Sequence, residues 1–187
     1  HFPKDGPVIV ACNHIGVVDG PLLHGCIPRG SHIFVKKEFF TSKLGFLMDW
    51  AGQIPVDREN GRASLLTAKD LLDEGRVVGI FPEGTRGKGR AESVHAGVAW
   101  LAVNSGAPIV YAASLGTRPE GASVGYVPAP RSKLHMVFSP PHILPDIPRG
   151  RAGITEAMEV IGEGLRAHVD YAVELTGIQL PGDEGTR

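Results

Sequence analysis

The chain has 187 residues, enough for one domain with a substantial core. Nineteen basic and twenty acidic residues leave a net charge of −1, so there is no global attraction to nucleic acid or an anionic membrane, and any anion site must be local. Two cysteines, Cys12 and Cys26, are too few for a disulfide framework and fit a reducing compartment.

In chain order, strand-like and helix-like stretches alternate. Val8 to Cys12 is a short apolar run that reads as a buried strand. It leads through Asn13-His14 to Asp19-Gly20-Pro21, a helix-start signal, and a short helix runs from Asp19 to Cys26. Ser31 to Lys36 is a second strand, Ser42 to Trp50 a helix, and Gln53 to Val56 a third strand. Arg62 to Asp73 places Leu65, Leu66, Ala68, Leu71 and Leu72 at helical spacing, and Gly75 ends it. Val77 to Phe81 is a fourth strand, Val94 to Asn104 a helix and Ile109 to Leu115 a fifth strand. Residues 117–132 are rich in Gly and Pro and form a long loop or lid. Leu134 to Phe138 is a sixth strand, and Pro140 to Arg151 a second loop. Residues 152–176 form a closing amphipathic helix, with Ile154, Met158, Ile161, Leu165, Val169, Ala172 and Leu175 three or four apart.

This alternation predicts an α/β fold over residues 1–187: a mostly parallel, mixed central sheet with helices on both faces. No apolar run approaches the roughly 20 residues of a spanning helix, and no signal peptide is visible. The chain starts at His1 and not at Met, which leaves an upstream membrane segment open.

In such sheets ligands bind beyond the carboxyl ends of the strands. His14 follows the first strand, with Asp19 five residues on, the pattern of a general base and its orienting carboxylate. Alone, that spacing is common, and a strand-end His held in the core is the bland reading. The fourth strand runs into Glu83-Gly84-Thr85-Arg86, where Gly84 permits close backbone approach and Arg86 offers a fork for phosphate or carboxylate. The stretch is not a phosphate-cradling P-loop: no Gly stands five residues before Gly87-Lys88, and no Ser or Thr follows the Lys. Lys88 and Arg90 read as surface charges. Arg58 follows the third strand, in an Asp57–Arg58 turn by its bland reading. Parallel strands would bring His14, Arg58 and Glu83–Arg86 to one rim.

Four blocks then stand in order: Asn13-His14-Ile15-Gly16-Val17-Val18-Asp19, Gly52-Gln53-Ile54-Pro55-Val56-Asp57-Arg58, Phe81-Pro82-Glu83-Gly84-Thr85-Arg86 and Gly106-Ala107-Pro108-Ile109-Val110. In these blocks, over residues 7–116, the chain resembles the glycerolipid acyltransferases, the 1-acylglycerol-3-phosphate acyltransferases in particular. Lys36-Lys37-Glu38-Phe39 stands where that family tends to show K-x-x-L, with Phe for Leu, and Val17-Val18 replaces its usual small polar residues.

The resemblance implies a single acyltransferase domain of three-layer, glycerolphosphate-acyltransferase-like architecture. It implies transfer of a fatty acyl group from acyl-CoA or acyl-carrier protein to the free hydroxyl of 1-acylglycerol-3-phosphate, giving phosphatidic acid. His14 would be the base and Asp19 would hold its tautomer. Asn13, Gly16, Lys36, Arg58, Glu83, Gly84, Thr85 and Arg86 would surround the substrate, with Lys36, Arg58 and Arg86 as candidate cations for the phosphate. Glu83 either accepts from a glycerol hydroxyl or holds an Arg. Backbone N–H groups near the helix start are the expected oxyanion donors. A thioester is already activated, so no metal, cofactor or enzyme nucleophile is required. Lipid substrates imply work at the cytoplasmic face of a membrane, peripheral or anchored by a segment absent from this chain.

Phe39, Phe40, Leu44, Phe46, Leu47, Met48 and Trp50 read first as core, and second as an acyl-tunnel wall or a bilayer contact. Other readings are weaker. Gly121-Ala122-Ser123-Val124-Gly125 matches a hydrolase elbow but has no strand before it or helix after it. Cys12 as a nucleophile competes with Cys12 as a small buried residue, and the remaining His residues lack metal-ligand spacing. A catalytically inactive lipid-binding module of the same fold is the rival from another class. Another lysophospholipid or a glycolipid is the alternative acceptor.

Overall fold

A computed structural model describes residues 2–43, 45–57 and 61–182. The elements are β1 (Val8–Cys12), α1 (Asp19–Cys26), β2 (Ser31–Lys36), α2 (Lys37–Phe40), α3 (Gly45–Trp50), β3 (Ile54–Val56), α4 (Gly61–Asp73), β4 (Val77–Ile80), α5 (Ala96–Ser105), β5 (Ile109–Leu115), β6 (His135–His142) and α6 (Arg151–Thr176). The strands form one sheet in the order β3-β2-β4-β1-β5-β6. The first five are parallel, and β6 runs antiparallel to β5.

Continuous apolar runs form β1, β4 and β5 because both sheet faces are covered. Ile9 and Ala11 of β1 pack with Ala68 and Leu72 of α4, Leu101 of α5 and Ile161 and Leu165 of α6. Val8, Val10 and Cys12 point the other way, against Leu23 and Ile27 beside α1. The result is three layers: α4, α5 and α6, then the sheet, then α1. Gly106 and Gly177 end α5 and α6 in the left-handed conformation, each donating its N–H back into the last turn.

Three expectations change. The helix expected over Ser42–Trp50 begins at Gly45, because Ser42 N–H and Gly45 N–H close a turn on the carbonyls of Phe39 and Ser42. Strand β6 continues through Pro140 and Pro141, where a loop was expected; it is an edge strand, where an absent N–H costs little, and the ladder is irregular between Val110 and Ala112. The reading of the Phe39–Trp50 stretch as core is overturned: Phe39, Phe46, Leu47 and Trp50 are exposed, Trp50 at 86%. Leu44 lies outside the described residues. No helix of the described residues is long and apolar enough to cross a membrane.

Candidate active site

Parallel pairing puts the carboxyl ends of β3, β2, β4, β1 and β5 on one rim. Asn13 and His14 follow β1, Phe81 to Arg86 follow β4, and Thr117 and Arg118 follow β5. His14 and Asp19 meet there, with Nδ1 of the imidazole 2.9 Å from Oδ2 of the carboxylate. Among the described residues nothing bonds Nε2, so that nitrogen is available to an incoming hydroxyl. The Phe81 ring stacks on the imidazole with centroids 4.3 Å apart, which fixes its plane.

Asp19 is fully buried at the first position of α1. Its Oδ2 also accepts the N–H groups of Ile15 and Gly16, each at 2.7 Å. Its Oδ1 accepts hydroxyl hydrogen bonds from Ser114 at 2.8 Å and Thr117 at 2.5 Å. Burial alone would push the carboxyl upward, but the bonds from His14, Gly16 and Thr117 outweigh it and hold Asp19 below its ordinary range. The group stays ionised, as an orienting partner must. Gly16 is required sterically: a Cβ there would stand 2.9 Å from Thr117 Oγ1. The Ile15 and Gly16 N–H groups are occupied by Asp19, and that of His14 by Glu83, so these three cannot serve as the expected oxyanion donors.

Glu83 Oε1 accepts the His14 N–H at 3.0 Å. Burial, with the charges of Asp19 and Glu92, pushes its carboxyl up to about 7 against the bond from His14. Glu83 therefore passes between neutral and charged near neutral pH. A pocket of about 260 Å³ opens beside it, lined also by Thr85, Gly87, Lys88, Arg90, Glu92 and Ser93. Lys88 and Arg90, read from sequence as surface charges, thus line a cavity next to Glu83.

The other expected site residues divide. Asn13 is fully buried, with its amide committed to the protein. Oδ1 accepts the Ser114 N–H at 2.7 Å, and Nδ2 donates to the carbonyls of Gly89 and Ser114. The expected substrate contact is therefore replaced by a clamp joining β1, β5 and the 84–90 loop. Gly84 is exposed at positive φ, with the His95 ring 2.7 Å from where a Cβ would be, and Thr85 is exposed. Arg86 donates to the Val124 carbonyl at 3.2 Å, which ties the long loop to the rim. Lys36 ends β2, exposed and separated from β1 by β4. Arg58 lies outside the described residues.

Sequence reasoning missed Ser114, Thr117 and Arg118. Ser114 carried a signal: it is the one hydroxyl in the buried strand β5 apart from the Tyr111 phenol, and a buried hydroxyl needs a partner. Arg118 is buried, donates from Nη2 to the Gly87 carbonyl at 2.7 Å and leaves Nε unpartnered. Cys12 is no nucleophile here, since burial and the nearby Asp19 push its thiol well above the ordinary value. Ser123 sits among turns, without the strand–helix setting of an elbow. Among the described residues no cluster of three or more His, Cys, Asp or Glu is placed to hold a metal ion.

A family model described as Acyltransferase matches residues 1–114. A 1-acyl-sn-glycerol-3-phosphate acyltransferase of Bacillus subtilis is 36% identical over 146 residues, covering 75% of this chain and 69% of that protein. One of Helicobacter pylori is 39% identical over 88 residues, 45% of this chain and 37% of that protein. The crystal structure of the 1-acyl-sn-glycerophosphate (LPA) acyltransferase of Thermotoga maritima superposes with a TM-score of 0.68 at 21% identity, over 91% of this chain and 68% of that one. That likeness supports the α/β acyltransferase fold.

Proposed function

The chain belongs to the acyltransferase family that holds the 1-acyl-sn-glycerol-3-phosphate acyltransferases, and from that footing we propose that His14 is the base with which it acylates lysophosphatidic acid. It is an O-acyltransferase. The observation that carries the mechanism is the His14–Asp19 pair on the rim, with Nδ1 held at 2.9 Å and Nε2 unbonded among the described residues.

An alcohol is a poor nucleophile at neutral pH, and a positioned base contributes roughly 10²–10⁴-fold. Nε2 removes the hydroxyl proton as the oxygen attacks the thioester carbonyl. The C–O bond forms, the C–S bond breaks, and the proton passes from His14 to the departing thiolate. Asp19 holds the tautomer and stabilises the imidazolium. The acceptor's phosphate is met by Arg86, and the pocket bearing Lys88 and Arg90 beside Glu83, which bonds the His14 N–H, supports a phosphate position in the loop after β4. The donor is acyl-CoA or acyl-carrier protein.

A two-tailed product implies work at a membrane surface. The exposed Phe39, Phe46, Leu47 and Trp50, flanked by Lys36, Lys37 and Lys43, support contact of this edge of the rim with an anionic bilayer.

The test is an acceptor panel with one labelled acyl thioester, run beside His14→Ala. Lysophosphatidic acid should be the preferred acceptor, and His14→Ala should lower kcat by about 10²–10⁴ while the fold stays intact by circular dichroism. Preference for another lysolipid or a glycolipid, or thiol release without acceptor, would overturn the substrate reading. Surviving activity in His14→Ala would overturn the base.

A further inference from the structure

We infer that Ser114 and Thr117 are positioning residues of the reaction, which fix the rotation of the Asp19 carboxylate and temper its charge, and so set how strongly it holds the Nδ1 proton of His14. This rests on the reading of His14 as the base. Five donors meet one carboxylate that offers about four lone-pair sites. The three on Oδ2 come from Asp19's own loop, within five residues, and move with it. The two on Oδ1 are hydroxyls 95 and 98 residues away, on the end of β5 and the loop after it. Among the described residues, these two tie the carboxylate to β5 and the loop after it.

Neither hydroxyl is explained by packing. Ser114 lies in a strand buried along its whole length, where an apolar side chain would pack without needing a partner. Thr117 lies against Gly16 and turns its oxygen, not its methyl, to Asp19. Hydrogen bonds to the ionised form spread its charge. Without them more charge falls on Oδ2, and its hold on the Nδ1 proton of His14 tightens.

Among the described residues, two other titratable groups face this pair. Glu83, from the loop after β4, bonds the His14 N–H, and Glu92 acts on Glu83 in turn. Cys12, on β1, stays a neutral thiol through its burial and the nearby Asp19. Of these two, Glu83 titrates near neutral pH.

The experiment is the pH profile of kcat/KM for Ser114→Ala and Thr117→Val, each in the native and the Glu83→Gln background. The acid limb should move up by about half a pH unit, so that kcat/KM falls about threefold further at about pH 5.5 than at about pH 8. Thr117→Ser should keep the native limb. A limb that stays in place in both variants, with the same loss at every pH, would overturn the inference and leave the hydroxyls as packing alone. If Thr117→Val does not fold, Ser114→Ala, which removes one oxygen atom, decides. His14→Ala is the separate control: if it remains active, the base reading falls wherever the limb lies.

Discussion

Glu83 links stability to pH in a direction that can be worked from its surroundings. Its carboxyl is pushed from 4.5 to about 7 in the folded chain, chiefly by burial. Between those values the folded state holds more of the proton than the unfolded state does, so stability falls as pH rises through the window. Below about pH 4.5 the contribution is fully present, and above about pH 7 it is lost. At 1.36 kcal/mol per pH unit the gap comes to about 3 kcal/mol, a ceiling because solvent screens part of the group. Glu83→Gln cannot ionise, yet its amide oxygen can still accept the His14 N–H. The variant should therefore match the native chain in Tm at about pH 4.5 and exceed it by about 5 °C or more at about pH 8. Comparing the two chains also removes the opposing effect of His168, whose imidazole is pushed down by burial and which destabilises the fold as pH falls. Thermal melts by circular dichroism across pH 4.5–8 measure the difference. A Tm difference that is constant with pH would refute the reasoning, because it would mean Glu83 is ionised throughout.

Asn13→Ala should destabilise by about 2–3 kcal/mol, seen as a lower urea midpoint, since it leaves the buried Ser114 N–H without its acceptor. Arg86→Ala should raise KM for the lysophosphatidic acid acceptor far more than KM for the acyl donor in steady-state kinetics; equal effects would remove Arg86 from the phosphate. Trp50→Ser should change stability by less than about 0.5 kcal/mol, because the ring is exposed. The same variant should weaken sedimentation with vesicles of anionic phospholipid; unchanged sedimentation would remove this face from the bilayer.

Much of the rim was legible because parallel strands obey simple geometry. The runs Val8–Cys12, Val77–Phe81 and Ile109–Leu115 read as buried strands of a mostly parallel sheet, which brings their ends together, and the structure pairs them so. His14 and Asp19 were legible for the same reason, being one strand end and one helix start. What escaped was the contribution of the fifth strand. Ser114 and Thr117 carry no spacing relation to Asp19, and their role exists only once β5 lies beside β1. Asn13 was legible as a site residue but misread in kind: sequence shows an amide beside the base, not that Ser114 and Gly89 use its hydrogen bonds. The Phe39–Trp50 stretch failed through periodicity itself, which marks an apolar face without saying what covers it.

The two halves of the site are held very differently, and that difference bears on specificity. On the base side, Asp19 takes five hydrogen bonds, Asn13 takes part in three with backbone partners, and Gly16 is packed too tightly against Thr117 to carry a side chain. On the cation side, Arg86 makes one exposed bond to the long loop. Exposed bonds of this kind are worth little and exchange readily with a ligand. The frame around His14 is therefore held tightly, while Arg86, which we propose meets the headgroup, can re-aim at low cost. Headgroup selectivity in this fold should then follow changes around Arg86, Lys88 and Arg90 with kcat preserved, whereas changes at Asn13, Gly16 or Thr117 should lower kcat for every acceptor alike.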